Sequence, residues 1–307
     1  MTAWREYESL HPKHTVVGRV VIWPKLASPQ LGGERDILVY LPPSLARSWP
    51  ADGEPVRRYP VLYFHDGQNV FDEKTAYVGE DWKADETLES LAKEGIEAIA
   101  VAIPNGRERR MDEYNPWRST LPWRKLPDWA TRREMGGKGD AYLDYVIDTI
   151  KPLIDRSFPT AAGPSSTGII GSSMGGLISL YGVVTRRNIF GLAGVISPSL
   201  PWSSYRILDV VRQEPPRGAR IHVDIGGRES RGMTADTRRL RDLLIQQGFV
   251  EGRDLHYVEE RYGIHRESAW ARRLPDALRF LLGNAVSQPS GGRDRPDPAG
   301  QADRPST

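Results

Sequence analysis

Residues 168–181 read Gly-Ile-Ile-Gly-Ser-Ser-Met-Gly-Gly-Leu-Ile-Ser-Leu-Tyr. The apolar run at the start predicts a buried strand, and the apolar residues after the glycines continue as a helix. Between them lies Gly171-x-Ser173-x-Gly175, a pattern in which a sharp strand-to-helix turn exposes a serine hydroxyl. Free N–H groups at the start of such a helix also favour developing negative charge. Ser173 is therefore the candidate nucleophile, and the neighbouring Ser172 fits the spacing less well.

The chain on either side alternates short β-rich runs with helical patterns. This alternation predicts an α/β fold with a mainly parallel, twisted sheet of about eight strands and helices on both faces. The first two runs, joined by residues 25–33, predict an antiparallel hairpin at the edge of the sheet. The β-rich runs are 16–22, 37–41, 60–64, 98–103, 167–170, 192–196, 221–225 and 255–258, and helical spacing occurs in 86–93, 142–154, 237–245 and 269–282.

A single domain is expected over residues 1–286, because no repeat and no linker separates two cores. Residues 111–135 follow neither period and carry three tryptophans, which is typical of an insertion or lid. Residues 287–307 consist mostly of Pro, Gly, Ser, Gln, Asp and Arg, and we expect a disordered tail there.

Composition excludes several function classes. The 307 residues contain no cysteine, which removes thiol nucleophiles, disulfides and Cys-ligated metals. A net charge of +2 is too weak a field to suggest nucleic-acid binding. No run approaches the roughly 20 apolar residues that cross a bilayer, and the charged N-terminus does not resemble a secretion signal. We therefore expect a cytoplasmic protein without membrane or nucleic-acid partners, of unknown oligomeric state.

A serine nucleophile needs a base. After a strand–turn–helix serine of this kind, the order along the chain is the serine, then the acid, then the histidine. Three of the six histidines lie after Ser173: His222, His256 and His265. The first two sit inside strand-like runs, where a structural histidine is the simpler interpretation. His265 follows the last strand and precedes the final helix, a position from which an imidazole reaches the carboxyl end of the sheet. We select His265 as the base.

The acid should follow the penultimate strand, at residues 221–225. Glu229 lies on the loop after it, where a carboxylate would hold the imidazole tautomer and stabilise the imidazolium. Asp224 is the rival, although its place within the strand suggests a structural role. Asp236 is a weaker third candidate.

An oxyanion hole needs two N–H donors. The amide of Met174, directly after the nucleophile, is one candidate. The second should come from the loop after the strand at 60–64, where Gly67 allows the chain to turn and the Gln68 amide becomes the donor. We expect His65 and Asp66 to form a structural corner.

These motifs resemble those of the putative esterase family of α/β-hydrolases, which includes enterochelin, feruloyl and acetyl-xylan esterases, S-formylglutathione hydrolases and mycolyltransferases. The similar segments are 59–72, 151–155, 171–176 and Gly263-Ile264-His265 with Trp270. The resemblance spans roughly residues 17–282 and implies the α/β-hydrolase fold. It implies the same nucleophile, base and oxyanion donors, and it places Glu229 at the position of the acid.

The function expected from these residues is a serine esterase that forms an acyl-enzyme on a small-molecule ester. The alternatives are an acyltransferase with the same triad and a non-catalytic binding module on the same scaffold. No cofactor or metal is expected, since the sequence lacks a P-loop, a dinucleotide fingerprint and an H-E-x-x-H motif. Candidates for the substrate pocket are Asp81, Trp82, Trp117 and Trp202, although Asp81 and Trp82 could merely begin a helix and the tryptophans could simply pack on the sheet.

Overall fold

One sheet of nine strands organises the computed structural model, which describes residues 3–50, 57–119 and 134–283. In space the strands follow the order β1-β2-β3-β5-β4-β6-β7-β8-β9. They are β1 Arg5–Glu6, β2 Arg19–Ala27, β3 Glu34–Leu41, β4 Val61–Phe64, β5 Ile99–Ala102, β6 Thr167–Ser172, β7 Leu192–Ile196, β8 Arg220–Gly226 and β9 Leu255–Glu260.

The pairing is antiparallel from β1 to β3 and between β3 and β5, and parallel from β5 through β9. The mainly parallel sheet and its antiparallel edge hairpin are therefore confirmed. The ninth strand is β1, whose two residues are too short to produce a periodic signal. The loop between β2 and β3 is shorter than predicted, because β2 continues to Ala27 and the chain turns at Gly32 and Gly33, both with positive φ.

Helices cover both faces of the sheet. The helix predicted over 142–154 is divided by a π-helical segment, Tyr145–Ile150, just before Pro152, whose nitrogen carries no hydrogen to donate. The α-helices are α1 Tyr7–Leu10, α2 Pro43–Ala46, α3 Ala84–Lys93, α4 Arg110–Glu113, α5 Gly139–Asp144, α6 Lys151–Ser157, α7 Met174–Thr185, α8 Arg206–Gln213, α9 Arg231–Gln246 and α10 Glu267–Leu282.

Two apolar layers hold these helices against the sheet. In β3, Ile37 and Val39 face the layer that α5 to α9 cover, whereas Leu38 and Tyr40 face the layer under α3 and α10. Side chains of a strand alternate between faces, so a strand buried on both faces reads as a continuous apolar run. This explains why the central strands appeared in the sequence as uninterrupted apolar segments.

Two of the predicted regions lie wholly or partly outside the described residues. Of the predicted lid, residues 111–119 and 134–135 are described, with an isolated bridge between Ser119 and Met135. The predicted tail at 287–307 is outside the described ranges. None of the helices in the part of the chain described here is long and apolar enough to span a membrane.

Candidate active site

Ser173 sits at the sharp turn between β6 and α7. Its backbone has φ 58° and ψ −117°, a conformation that L-residues rarely adopt and that costs about 1–3 kcal/mol. Two neighbouring hydrogen bonds hold it: the Ser173 amide donates to the Ile196 carbonyl at 3.0 Å, and the Ser199 amide donates to the Ser173 carbonyl at 2.9 Å. Gly171 is required for this turn, because a Cβ there would lie 2.7 Å from the Gly175 carbonyl carbon.

The loop after β4 turns at Asp66, not at Gly67 as the sequence suggested. Asp66 has φ 53° and is fixed by a bidentate ion pair with Arg110, with Nε–Oδ1 at 2.6 Å and Nη2–Oδ2 at 2.8 Å. Gly67 is needed for a different reason, since an added Cβ would lie 2.5 Å from the backbone nitrogen of Ile103. The loop therefore packs directly on the end of β5 and presents Gln68 beside the nucleophile turn.

The two candidate oxyanion donors, Gln68 and Met174, both lie in the first turn of a helical segment. Gln68 belongs to the single 3₁₀ turn Gly67–Asn69, and Met174 is the first residue of α7. The first amides of a helix have no partner within the helix. The Gln68 side chain is anchored separately, because its Oε1 accepts a hydrogen bond from the Asn105 amide at 3.1 Å.

His65 and Asp66 form the structural corner that the sequence indicated. The His65 ring is buried, and its Nδ1 lies 2.7 Å from the Tyr142 hydroxyl. Burial lowers the pKa of His65 to about 3, with the positive charge of Arg110 acting in the same direction. Burial alone would raise the pKa of Asp66, but Arg110 outweighs it and holds that pKa below its ordinary value.

His265 is joined to Glu229 across the carboxyl ends of β8 and β9. The distance from His265 Nδ1 to Glu229 Oε2 is 2.8 Å, and the imidazole packs edge-on against the Trp270 ring. The Glu229 side chain is fully buried, whereas 35% of the His265 side chain is exposed. A buried carboxylate on Nδ1 fixes the tautomer in which Nδ1 carries the proton and Nε2 is free to accept one.

The second oxygen of Glu229 is held by two donors. Oε1 accepts from the Ser197 hydroxyl at 2.6 Å and from the Gly226 amide at 2.9 Å. Ser197 Oγ in turn accepts from the Trp270 indole at 3.1 Å and from Arg273 at 3.0 Å. Indole and guanidinium groups only donate, so the Ser197 hydrogen points at Glu229.

The two rival acids lie elsewhere. Asp224 is buried, with Oδ2 at 3.1 Å from His222 Nε2 and Oδ1 at 3.0 Å from Arg273, which also contacts Ser197. Asp236 accepts a hydrogen bond from the Tyr205 hydroxyl at 3.3 Å. Neither carboxylate has a hydrogen bond to His265 within the described chain, so the geometry favours Glu229 among the three.

A cavity of about 990 Å³ brings the candidate groups together, because Ser173, Gln68 and His265 all line it. Ser173 Oγ lies 3.1 Å from Ser199 Oγ, and none of the hydrogen bonds among the described residues joins it to His265. In the absence of a substrate such contacts are often long, so this arrangement does not argue against the pair. Glu267 also lines the cavity, and burial raises the pKa of its carboxyl.

The predicted pocket residues are not in this cavity. Trp82 is 1% exposed and packs in the core against Phe64 and Trp270. Trp202 is buried in the opposite apolar layer, and Trp117 packs against Tyr181. Asp81 lines a separate cavity beside α3, where burial and the nearby Glu86 and Glu73 raise its pKa to about 6. The structure therefore does not bring these four residues together with Ser173 and His265 in the described part of the chain, and for Trp82 and Trp202 a buried indole ring stabilises the core.

The sequence did not single out several residues that line the cavity or contact the candidate groups. Arg107 and Arg110 line the cavity, and Ser197, Ser199 and Arg273 surround the candidate groups. The two serines lie directly after β7, at the same edge of the sheet as Ser173. That position was the one available signal, because parallel strands end together.

Comparison with known proteins places this chain in a family. The sequence profile of the putative esterases matches residues 28–281. The chain belongs to that family. The putative esterase assignment, with an α/β-hydrolase fold, confirms the resemblance seen in the sequence, and the chain is a carboxylic ester hydrolase.

Individual relatives support this assignment. YbbA of Bacillus subtilis strain 168 is 29% identical over 263 residues, which cover 83% of this chain and 96% of YbbA. Ferri-bacillibactin esterase BesA of the same organism is 30% identical over 169 residues, or 52% of this chain and 55% of BesA. The crystal structure of BES protein from Bacillus cereus covers 87% of this chain and 97% of its own, with a TM-score of 0.65 and 21% identity, and is thus similar in fold.

Proposed function

We propose that this esterase cleaves small-molecule carboxylic esters through an acyl-enzyme on Ser173, with His265 as base and Glu229 as acid. One observation carries the proposal: the buried Glu229 carboxylate contacts His265 Nδ1 at 2.8 Å, and the exposed side of His265 shares a cavity with the strained Ser173 turn. A nucleophile, a base and an orienting carboxylate in this arrangement form a hydrolytic triad.

The first half of the reaction forms the acyl-enzyme. Ser173 Oγ attacks the acyl carbon while His265 Nε2 takes the hydroxyl proton, and the carbonyl electrons move to the oxygen. The amides of Gln68 and Met174 stabilise that oxyanion, and each such donor is worth about 3–4 kcal/mol. The C–O bond of the ester then breaks, and His265 returns the proton to the departing alcohol.

The second half consumes water. His265 takes a proton from a water molecule whose oxygen attacks the acyl carbon, and it returns this proton to Ser173 Oγ as the acid is released. Glu229 stays ionised throughout and stabilises the imidazolium. For both steps Ser173 Oγ must leave Ser199 Oγ and turn toward His265.

The substrate class is an ester large enough to use the cavity. A volume of about 990 Å³ is at the upper end for small-molecule sites, and a lining that holds Arg107 together with Asp36 and Glu267 suits a bulky ester that carries several polar groups. BesA is named a ferri-bacillibactin esterase, which makes a siderophore ester one member of the class to assay.

The test is hydrolysis of p-nitrophenyl acetate and butyrate by the wild type and by Ser173→Ala, with Ser172→Ala as the matched control. We expect Ser173→Ala to lose activity and Ser172→Ala to keep it. Equal rates in the wild type and Ser173→Ala would exclude the proposed nucleophile. A panel of feruloyl, acetyl-sugar, short aryl and siderophore-lactone esters, with and without an alcohol acceptor, then ranks substrates and separates hydrolysis from acyl transfer.

A further inference from the structure

Three carboxylates meet at the start of α3, away from the proposed active site. Asp81, Asp85 and Glu86 each offer an oxygen, and these oxygens all lie within 4.8 Å of one another. Asp81 and Glu86 also line a cavity of about 440 Å³ that is bounded on its other side by Ala271 and Pro275 of α10. The cavity thus borders the Asp81 and Glu86 side chains, whereas Asp85 is buried and does not line it.

Three of the oxygens in this cluster accept no hydrogen bond from a donor group in the described residues. Asp81 is 3% exposed and Asp85 is not exposed at all. Oδ1 of Asp81, Oδ1 of Asp85 and Oε2 of Glu86 have no hydrogen-bond partner within the described ranges. The other oxygen of Asp85 is occupied, since Oδ2 accepts from the Val17 amide at 2.6 Å. Each side chain therefore has one oxygen without a donor group in the same small region, and burial together with the contact between the Asp85 and Glu86 carboxyls raises the pKa of Asp85.

In the described residues, the positive charge of Lys83 acts on Asp81, but burial and the negative charges of Glu86 and Glu73 outweigh it and raise the pKa of Asp81. No ion pair within 4 Å joins these three carboxylates to an arginine or lysine in the described residues, and Lys83, which lines the same cavity, is exposed. The start of α3 contributes a partial positive charge of about half a unit, which does not balance three carboxylates. Buried charges in proteins are paired or bind metals, because an unpaired one is costly.

We propose that Asp81, Asp85 and Glu86 bind a divalent cation, with Ca²⁺ as the preferred ion. The donors are all carboxylate oxygens, which suit a hard cation and not a soft metal that selects sulfur or imidazole. Two oxygens bound to Ca²⁺ at 2.3–2.6 Å are at most about 5 Å apart, which agrees with the spacing of the cluster. Water completes the coordination from the cavity.

The bound ion would stabilise the segment between Gln68 and the start of α3 at Ala84. The Trp82 amide donates to the Asn69 carbonyl at 2.8 Å, and the Ala84 amide donates to the Val70 carbonyl at 3.2 Å. A ligand that binds only the folded state raises its stability by mass action. The cation site is therefore expected to act on stability, independently of whether Ser173 is the nucleophile.

The test begins with the full-length protein after treatment with a chelator. Isothermal titration with CaCl₂ should give one site per chain, and a concentration 100-fold above Kd should raise Tm by about 5 °C or more. Tb³⁺ is a second probe, since Trp82 lies next to Asp81 and sensitises the emission of a bound lanthanide.

Two variants make the test specific. Asp81→Asn should abolish Ca²⁺ binding and the Tb³⁺ signal, and without any cation it should melt above the chelated wild type, because a buried carboxyl that is unfavourably placed near Glu86 and Glu73 is gone. Asp242→Asn, an exposed carboxylate on α9, should bind as the wild type does. Circular dichroism confirms that both variants are folded.

If the wild type neither binds Ca²⁺ nor changes its Tm, the proposal is overturned. Protons shared between the carboxyls would then neutralise the cluster. Equal binding by the wild type and Asp81→Asn would also overturn it, because the ion would then lie elsewhere. Loss of esterase activity in Ser173→Ala without loss of Ca²⁺ binding separates this site from the proposed function.

Discussion

Replacing Glu229 by Gln tests the proposed acid with almost no change of shape. In the structure Oε1 of Glu229 faces two donors, the Ser197 hydroxyl and the Gly226 amide, whereas Oε2 faces His265 Nδ1. The single amide oxygen of Gln must therefore take the Oε1 position, and its NH₂ group then faces the imidazole. Nδ1 becomes an acceptor, the ring proton moves to Nε2, and the base can no longer take a proton from Ser173.

The magnitude follows from two losses. A hydrogen bond to a charged group is worth about 1.5–3 kcal/mol, and each 1.4 kcal/mol corresponds to about tenfold in rate. The wrong tautomer adds to this, and an isosteric change of a triad acid lowers kcat by about 10⁴. We expect Glu229→Gln to lower kcat for p-nitrophenyl acetate by about 10²–10⁴, with a small change in KM because the carboxylate does not line the cavity.

Asp224→Asn is the matched control, since Asp224 is a buried carboxylate on the same strand end that contacts His222 and not His265. Breaking its contact with Arg273 and His222 should lower the free energy of unfolding by about 3–5 kcal/mol. The Asp224 variant should keep most of its kcat at temperatures where it is folded. If it loses kcat while folded and Glu229→Gln stays active, the assignment of the acid is wrong.

Three other perturbations test the surroundings of the site. Ser197→Ala removes one donor from Glu229 and should lower kcat roughly tenfold at unchanged KM; steady-state kinetics check this, and an unchanged kcat would show that the Gly226 amide suffices. Gly67→Ala forces a methyl group to 2.5 Å from the Ile103 nitrogen, so activity should fall at least tenfold with a lower Tm, and a fully active variant would contradict the close approach. The pKa of His65 is about 3 in the folded state and about 6.5 in the unfolded state, so its contribution to the free energy of unfolding is full above pH 6.5 and falls by about 1.4 kcal/mol per pH unit toward pH 3. Urea unfolding at pH 7 and pH 5 should show a smaller decrease in the free energy of unfolding for His65→Gln than for the wild type. Equal decreases would refute this cause.

The strand-turn-helix at Ser173 could be predicted because every local signal agreed. An apolar strand, two glycines and an apolar helix leave one conformation for the serine between them. Family membership confirms the α/β-hydrolase fold that these residues indicated. The roles of Ser173, His265 and Glu229 stay predictions, although the structure brings His265 and Glu229 into contact.

The pocket could not be predicted from composition. Tryptophans such as Trp82 suit a cleft as well as a core, and only the packing of α3 against α10 makes this one a core residue. The side chains that hold Glu229 could not be predicted either, because Ser197 and Arg273 are 76 residues apart in the sequence and come into contact only when β7 and α10 pack together. Asp81 lies in no recognisable motif, since its cluster is formed partly by the turn that precedes α3.

The most direct test of the central proposal is covalent labelling with an aryl phosphonate, followed by peptide mass spectrometry. Trypsin releases residues 157–186, which contain Ser172 and Ser173, separately from residues 188–206, which contain Ser199. The proposed mechanism predicts one adduct per chain, located on Ser173 by fragmentation, formed slowly in Glu229→Gln and absent in Ser173→Ala. An inactivating adduct on Ser172 or Ser199, or full inactivation of Ser173→Ala, would contradict it.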